Sequence, residues 1–277
     1  MSKCVITALA TPFRGGKIDV NAYVKACVYQ SENGADALLA LGTTAEAQLL
    51  SRCERKLLLT LTKSCTTLTI IAGIEEPSTL QACRDAEQYA ILGADAVMVA
   101  PPAFCKCTPQ GYYKHVEAIK FACKLPVILY NIPSRAGYSL DVKTVKRLAE
   151  KGIAEYVKDG ASTVDFAVKT APFCKVLCGS DERLKQYMDV GACGVISVVS
   201  NVAPKLTKQA VNGDETAKKQ FERLAYLAMR EINPIAIKYL LYKAGMFENY
   251  DVRLPLSKAS AKTRRAIDES YIPSSAE

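Results

Sequence analysis

Short apolar runs alternate with amphipathic stretches along the first 211 residues, and glycines often end the amphipathic stretches. The apolar runs are typical of strands that are covered on both faces, and the amphipathic stretches predict helices. The predicted strands span residues 4–10, 37–41, 68–74, 96–100, 126–130, 153–157, 175–178 and 194–199. The predicted helices span residues 21–31, 51–66, 78–92, 109–123, 141–151, 163–170, 182–190 and 203–211.

Eight strand–helix units in succession predict a parallel sheet, and units of about 25 to 30 residues match a TIM barrel. A doubly wound open sheet is the alternative, but no glycine-rich phosphate loop follows the first strand, where Pro12 stands instead. We therefore predict an α/β fold, with a (β/α)8 barrel as the catalytic domain in residues 1–214. The pattern in residues 215–277 predicts helices at 215–232, 234–244 and 257–269, with no strand between them. We interpret this region as a C-terminal helical extension that packs on the barrel and takes part in assembly.

The composition is typical of a globular protein, with 49% hydrophobic and 23% charged residues among 277. The apolar runs are shorter than the roughly 18 residues of a membrane-spanning helix, and the N-terminus lacks the ordered regions of a signal peptide. We therefore expect a cytoplasmic protein that does not associate with membranes. The net charge of +8 comes without a nucleic-acid-binding motif, so we expect small anionic substrates and no nucleic acid.

The eleven cysteines are scattered through the strand and helix patterns, which favours free thiols packed as small hydrophobic groups. Cys105 and Cys107 form the only tight pair, and the chain has one histidine, His115. A zinc site needs a second pair of ligands at suitable spacing. We therefore expect no metal.

Candidate catalytic residues follow the predicted strands, because the active site of a TIM barrel lies at the C-terminal ends of its strands. Lys158 directly follows an apolar strand in the segment EYVKDGAS. Burial disfavours the charged form of a lysine and leaves a neutral, nucleophilic amine, as in Schiff-base lysines. A surface lysine, or an ion pair with Asp159, is the alternative interpretation.

Four other side chains lie at the ends of predicted strands or in the loops that follow them. Thr43 and Thr44 come after Gly42 and could bind a carboxylate through hydroxyls and free N–H groups, although an ordinary turn has the same composition. Tyr130 could move protons, or be a barrel-rim aromatic residue. Arg135 could bind a second carboxylate as a fork, or lie on the surface. Together with the lysine they favour an aldolase that forms a Schiff base with a 2-oxo acid.

The motifs GTTAE, YNIPSRAG, VKDG and GVISVVSN make the chain similar to the dihydrodipicolinate synthase / N-acetylneuraminate lyase family, from about residue 5 to residue 255. The resemblance implies a class I aldolase on a TIM barrel, most often a homotetramer. It implies no cofactor other than a covalent imine with pyruvate on Lys158. It also implies that Tyr130 is the acid/base phenol, and that Thr43 and Thr44 hold the pyruvate carboxylate, with Thr43 also in the proton relay.

The same resemblance implies that Ile196 lines the pyruvate pocket and that Arg135 binds the carboxylate of a second substrate. Within the family, Arg135 and the two threonines after Gly42 favour condensation of pyruvate with L-aspartate 4-semialdehyde to 4-hydroxy-tetrahydrodipicolinate, on the lysine/diaminopimelate route. The alternatives are another pyruvate-dependent aldolase, acting on a 2-oxo-3-deoxy sugar acid or a 4-hydroxy-2-oxo acid, or a catalytically weakened paralogue. We expect a homo-oligomer, a tetramer or a dimer, although one sequence does not distinguish a tetramer, a dimer and a monomer.

Several positions depart from the family pattern. Ala103 and Phe104 stand where a pair of tyrosines is usual, and the second tyrosine normally completes the proton relay across a subunit interface. Because Phe104 has no hydroxyl, the relay would be broken or rerouted through Tyr112, Tyr113 or an ordered water. Ala45 also replaces a usual glycine.

The residues that bind allosteric L-lysine in many family members also differ. Their positions hold Arg52, Pro77, Gln81 and Ala103. We therefore predict that L-lysine does not inhibit this protein, and inhibition at sub-millimolar L-lysine in a steady-state assay would contradict that prediction.

Overall fold

A computed structural model of the chain describes residues 3–271. Among these residues, eight parallel strands close into a barrel, which confirms the predicted TIM-barrel fold. The barrel strands are Cys4–Ala8 (β1), Ala37–Ala40 (β4), Thr69–Ile74 (β5), Ala96–Val99 (β6), Val127–Asn131 (β7), Tyr156–Asp159 (β8), Lys175–Cys178 (β9) and Gly194–Ser197 (β10). Each pairs with the next in the chain, and β1 closes the ring by pairing with both β4 and β10. Two short strands, Phe13–Arg14 (β2) and Lys17–Ile18 (β3), form a hairpin above β1.

Helices pack around the barrel between successive strands. The α-helices of the described residues are Val20–Glu32 (α1), Arg52–Cys65 (α2), Thr79–Ile91 (α3), Pro109–Cys123 (α4), Pro133–Ala136 (α5), Val142–Glu150 (α6), Asp165–Thr170 (α7), Leu184–Asp189 (α8), Pro204–Val211 (α9), Glu215–Ala228 (α10), Ile235–Lys243 (α11) and Ala261–Ser270 (α12). Short 3₁₀ turns at Thr43–Ala45, Ala47–Leu49, Asp181–Arg183 and Val199–Asn201 follow barrel strands at the C-terminal face.

The predicted and observed elements differ mainly at their ends. β8 begins three residues later than predicted and includes Lys158, which therefore lies within the strand and not after it. The hairpin β2–β3 and the four-residue helix α5 were not predicted, because both are too short for periodicity to show. The last helix begins at Ala261 and not at residue 257. Residues 272–277 of the predicted C-terminal region lie outside the described residues.

Helix α2 begins directly after Ser51, the first residue of the helix predicted at 51–66. Ser51 accepts from the Glu54 N–H, and the Glu54 carboxylate accepts from the Ser51 N–H, which is a capping box. The same carboxylate also forms a two-pronged ion pair with Arg253, from the segment between α11 and α12. The hydrogen bonds with Arg253 and Ser51 lower the pKa of Glu54 to about 2.

The barrel interior and the helix–barrel layer are separate apolar clusters, as the two faces of each strand require. The interior cluster includes Ile6, Leu39, Ile71, Met98, Ile128, Tyr130, Leu177 and Ile196. No helix within residues 3–271 is both long and apolar enough to span a bilayer.

The C-terminal helices are tied to the second βα loop by a buried ion pair. Lys238 of α11 and Glu46 are both fully buried and hydrogen-bonded to each other. Lys238 also donates to the Asp251 carbonyl at 2.8 Å, and Glu46 accepts from the Arg253 N–H at 2.9 Å. Because Glu46 directly follows the Thr43–Ala45 turn, these contacts fix the position of the two threonines relative to α11.

Candidate active site

Lys158 lies near the C-terminal end of β8 with only 5% of its surface exposed. Its neighbour across the strand pair is Tyr130 of β7, and the lysine Nζ lies 4.3 Å from the centre of the Tyr130 ring. Within residues 3–271, no carboxylate forms an ion pair with Lys158. An amine that is buried beside a phenol, with no paired carboxylate, matches the requirement for imine chemistry.

Asp159 is not the partner of Lys158, so the alternative of an ion pair between them is wrong. Its carboxylate accepts from Asn131 Nδ2 at 2.8 Å, from the Tyr187 hydroxyl at 2.9 Å and from the Ala161 N–H at 3.1 Å. Asn131 also accepts from the Leu140 N–H, which anchors the loop after β7. Successive side chains of a strand point to opposite faces, so Lys158 and Asp159 face different environments.

The segment Gly42–Thr43–Thr44 forms a tight turn above β4. Leu41 and Glu46, on either side of it, both have positive φ angles, which are rare for residues other than glycine. A side chain at Gly73 would meet the Leu41 carbonyl at 2.3 Å, so only glycine fits beneath the turn. Such constrained backbone is common at binding sites, where the surrounding structure holds it in place.

Arg135 and Thr44 are connected through Asn233, a residue that the sequence did not indicate. Asn233 Nδ2 donates to Thr44 Oγ1 at 2.9 Å, and the Asn233 carbonyl accepts from Arg135 Nη2 at 2.8 Å. Arg135 is exposed, with its guanidinium held at the rim of the barrel by α5. Two of the predicted substrate-binding residues therefore share one bridge from the segment that precedes α11.

Ile196 is 1% exposed and lies in the barrel interior with Tyr130 and Leu177. Gly179, after β9, makes room for the lysine. A side chain there would lie 2.8 Å from the Asp159 carbonyl and 3.0 Å from Cγ of Lys158. The lysine side chain is therefore confined by its neighbours in the barrel wall.

Phe104 is fully exposed and has a positive φ angle of 60° in the loop after β6. Tyr112 is buried, and its hydroxyl lies 3.5 Å from the Val99 carbonyl. Tyr113 lies beneath the guanidinium of Arg147, 4.4 Å from ring centre to guanidinium carbon. The first contact joins α4 to barrel strand β6 and the second joins α4 to α6, and they do not favour either tyrosine as a substitute for the missing relay hydroxyl.

Two buried carboxyl groups near the lysine were given no role by the sequence. Asp181 accepts from the Val198 and Val199 N–H groups at 2.8 Å each, which positions the loop after β10. Burial raises the pKa of Asp181, and the charge of Lys158 is among the effects that oppose this rise. In the sequence, Asp181 is distinguished only by its position shortly after the predicted strand 175–178.

Glu75, directly after β5, is the second of these carboxyl groups. Both of its carboxylate oxygens are buried without a hydrogen-bond partner among the described residues. They border a cavity of about 30 Å³ that Gln48, Arg55 and Tyr89 also line, enough for one or two water molecules. Burial raises the pKa of Glu75 to about 7, although the charges of Arg135, Lys158 and Arg55 oppose the rise.

Within residues 3–271, no three or more His, Cys, Asp or Glu side chains come together as a metal site would require. The eleven cysteines are free thiols in this structure. The candidate site consists of the buried amine of Lys158, the phenol of Tyr130, the turn that carries Thr43 and Thr44, and Arg135, at the C-terminal ends of the barrel strands.

Comparison with known proteins identifies what the chain resembles. A model of the dihydrodipicolinate synthetase family matches residues 1–271. The 4-hydroxy-tetrahydrodipicolinate synthases of Rickettsia bellii (strain OSU 85-389) and Rickettsia prowazekii (strain Madrid E) are 33% and 35% identical to it, over 96% of this chain and 95% of each relative.

Solved structures give the same result. The dihydrodipicolinate synthase of Thermotoga maritima superposes with a TM-score of 0.89 at 33% identity, covering 98% of this chain and 99% of that chain. A structure described as the first monomeric dihydrodipicolinate synthase variant superposes with a TM-score of 0.91 at 30% identity, covering 97% of this chain and 95% of that chain.

Proposed function

The chain belongs to the dihydrodipicolinate synthetase family of class I aldolases, and we propose that it condenses pyruvate with L-aspartate 4-semialdehyde to 4-hydroxy-tetrahydrodipicolinate. This reaction would serve lysine and diaminopimelate synthesis in the cytoplasm. One observation carries the proposal more than any other. Lys158 is buried at the catalytic face of the barrel, its Nζ 4.3 Å from the ring centre of Tyr130.

The proposed reaction begins at the lysine. The amine of Lys158, once it has lost its proton, attacks C2 of pyruvate, and the resulting carbinolamine loses water to give an imine. Tyr130 would supply and remove the protons of these steps. Loss of a proton from C3 gives an enamine, whose C3 attacks the aldehyde carbon of the second substrate. The amino group of that substrate then displaces Lys158 from the imine carbon, which closes the ring and frees the enzyme.

The remaining residues bind the two acids. Thr43 and Thr44, on the Gly42 turn, would hold the pyruvate carboxylate, with Thr43 also in the proton relay. Ile196 would form the apolar floor beneath the pyruvate methyl group. Arg135 would bind the carboxylate of the semialdehyde as a charge-assisted fork. No cofactor is needed, since the imine on Lys158 itself withdraws the electrons.

Borohydride trapping tests the proposal directly. Reduction of the pyruvate imine should add about 72 Da to Lys158, because the imine becomes a stable secondary amine. We expect Lys158→Ala to lose the adduct and Lys175→Ala to retain it. Lys175 is the matched control, since it lies on the neighbouring strand β9 with an exposed side chain paired to Glu155. Absence of an adduct on the wild-type protein would contradict the proposal.

Turnover of L-aspartate 4-semialdehyde separates the proposed synthase from its alternatives. An adduct without turnover of this aldehyde would favour an aldolase for a 2-oxo-3-deoxy sugar acid or a 4-hydroxy-2-oxo acid. A weakened paralogue is the second candidate, and Phe104 supports it, because no hydroxyl stands at that position. Loss of one proton-relay group would lower the rate by on the order of 10²-fold.

The assembly is part of the proposal. We expect a homo-oligomer, a tetramer or a dimer, as in most of the family, although one relative of the same fold is described as monomeric. Sedimentation equilibrium of the full chain would distinguish these states.

A further inference from the structure

Asn233 contacts two of the residues to which the proposed function assigns substrate carboxylates, and it uses a different group for each. Its side-chain Nδ2 donates to Thr44 Oγ1 at 2.9 Å, and its backbone carbonyl accepts from Arg135 Nη2 at 2.8 Å. The contact with Arg135 therefore does not depend on the side chain at residue 233, whereas the contact with Thr44 depends on the amide itself. Side-chain substitutions at this position separate the two contacts.

The segment that carries Asn233 has a fixed position beside the threonine turn. Asn233 directly precedes Pro234 and helix α11, and Lys238 of that helix forms the buried ion pair with Glu46. Thr44 and Glu46 are two residues apart on one turn, and each is 3% exposed. Two contacts therefore join the α11 segment to this turn, one at Thr44 and one at Glu46, and they hold the Asn233 amide against the Thr44 hydroxyl.

The Thr44 hydroxyl can accept a hydrogen bond and donate its own hydrogen at the same time. Its oxygen accepts from Asn233, which directs the hydroxyl hydrogen away from the amide. Within residues 3–271, this hydrogen is donated to no protein acceptor. A buried donor without a partner is costly unless water or a ligand satisfies it. The pyruvate carboxylate that the proposed function assigns to this turn is an acceptor of the required kind.

We propose that Asn233 is a positioning residue for pyruvate, because its amide orients the Thr44 hydroxyl so that the hydrogen is donated to the substrate carboxylate. This inference rests on the proposed function, which assigns that carboxylate to Thr43 and Thr44. Asn233 acts through Thr44 in this role and does not itself contact pyruvate.

The orientation of the Asn233 amide is decisive. Its Oδ1 is buried without a hydrogen-bond partner among the described residues. If the amide were turned over, this oxygen would lie beside Thr44 and accept the hydroxyl hydrogen, which would no longer be available to a substrate. The variant Asn233→Asp imposes that arrangement, since an ionised carboxylate has nearly the shape of the amide but only accepts hydrogen bonds.

Borohydride trapping of the full-length protein at a series of pyruvate concentrations measures pyruvate binding. We expect Asn233→Ala to raise the half-maximal pyruvate concentration roughly 3- to 10-fold, because the Thr44 hydroxyl loses the neutral hydrogen bond that orients it. We expect Asn233→Asp to raise it roughly 10- to 100-fold, the range for loss of a hydrogen bond to a charged group. A merely structural role would give the opposite order, since aspartate fills the site and alanine leaves a cavity.

A double-mutant cycle separates loss of the hydroxyl orientation from the repulsion that the aspartate charge adds. Thr44→Val removes the hydroxyl and keeps the shape of the side chain. In that background we expect Asn233→Ala to raise the half-maximal pyruvate concentration no further, because the group that it orients is already absent. In Asn233→Ala the KM for the semialdehyde should change less than that for pyruvate, since the contact with Arg135 is made by the backbone.

Asn212→Asp is the matched control for the change of an amide to a carboxylate. Asn212 is exposed and accepts from the Lys3 N–H, next to the first residue of β1 at the opposite end of the barrel. We expect this variant to be trapped at the same pyruvate concentrations as the wild-type protein.

Three results would overturn the proposal. They are trapping of Asn233→Asp at wild-type pyruvate concentrations, a larger loss in Asn233→Ala than in Asn233→Asp, and equal losses from Asn233→Ala in the wild-type and Thr44→Val backgrounds. Absence of an adduct on the wild-type protein would instead refute the proposed function, and this inference with it. If one variant at residue 233 fails to fold, the other still decides, through the cycle for alanine and through direct comparison with the wild-type protein for aspartate.

Discussion

Replacement of Glu75 by glutamine removes a buried carboxyl group whose charged form has no hydrogen-bond partner among the described residues. The pKa of Glu75 is raised from 4.5 to about 7, which corresponds to about 3 kcal/mol of differential stability between its two protonation states. Below pH 4.5 the carboxyl is neutral in both the folded and the unfolded protein, so it costs nothing. As the pH rises from 4.5 to 7, only the unfolded chain loses the proton, and the folded state is progressively destabilised.

Glutamine has nearly the same shape and does not titrate. We therefore expect Glu75→Gln to match the wild-type protein near pH 4.5 and to be more stable by about 3 kcal/mol at pH 8. Urea denaturation at several pH values and one protein concentration would measure this difference. Glu76→Gln, one residue further on and beside the same cavity, is the control for loss of a neighbouring carboxylate.

A stability difference between wild type and Glu75→Gln that stays constant from pH 4.5 to 8 would refute this account of Glu75. That result would mean that other interactions stabilise the charged Glu75 carboxylate in the folded protein and offset the cost of its burial. The expected result would instead raise the question of whether Glu75 has a role in catalysis. A carboxyl group that destabilises the folded state and is subject to the charges of Lys158 and Arg135 resembles the costly polar groups that enzymes keep at functional sites.

Three further substitutions test other parts of the structure. Arg135→Ala should raise KM for the semialdehyde roughly 10- to 100-fold, because a charge-assisted hydrogen bond contributes about 1.5–3 kcal/mol. Borohydride trapping of pyruvate should stay unchanged. Loss of trapping would contradict the assignment of Arg135 to the second substrate. Lys238→Met should lower the free energy of unfolding by about 3–5 kcal/mol, because Glu46 is left buried without its partner, and adding Glu46→Gln should recover part of the loss. Urea denaturation measures the free energy of unfolding of the single and the double variant. A Lys238→Met variant as stable as the wild-type protein would contradict this assignment of the ion pair. Gly179→Ala should slow imine trapping, since the new methyl group meets the side chain of Lys158; an unchanged trapping rate would show that the lysine has room to move.

The order of the strands and the catalytic face could be predicted because both depend on local pattern. An apolar run covered on both faces has no polar positions to interrupt it, and a helix shows its period within a few turns. Lys158 stood out for the same reason, as a charged residue at the end of such a run. The ends of elements were less accurate, and the short hairpin β2–β3 was missed.

The alternative reading of Lys158 as a partner of Asp159 could not be excluded from the sequence. Adjacent residues look like potential partners in a sequence, but in a strand they point to opposite faces. The structure places the Asp159 carboxylate against Asn131 and Tyr187. It places Lys158 against Tyr130, which comes from the neighbouring strand at the same level of the barrel.

Asn233 shows most clearly what the sequence could not supply. It lies 189 residues from Thr44 and 98 from Arg135 in the chain, yet it contacts both. Glu75 and Asp181 are similar, since their surroundings come from several elements. By itself the sequence determined the barrel and the position of a lysine at the C-terminal end of one of its strands, because each follows from residues close together in the chain. Only the tertiary structure decided which distant side chains meet there, because closure of the barrel brings them into contact and no local pattern records that.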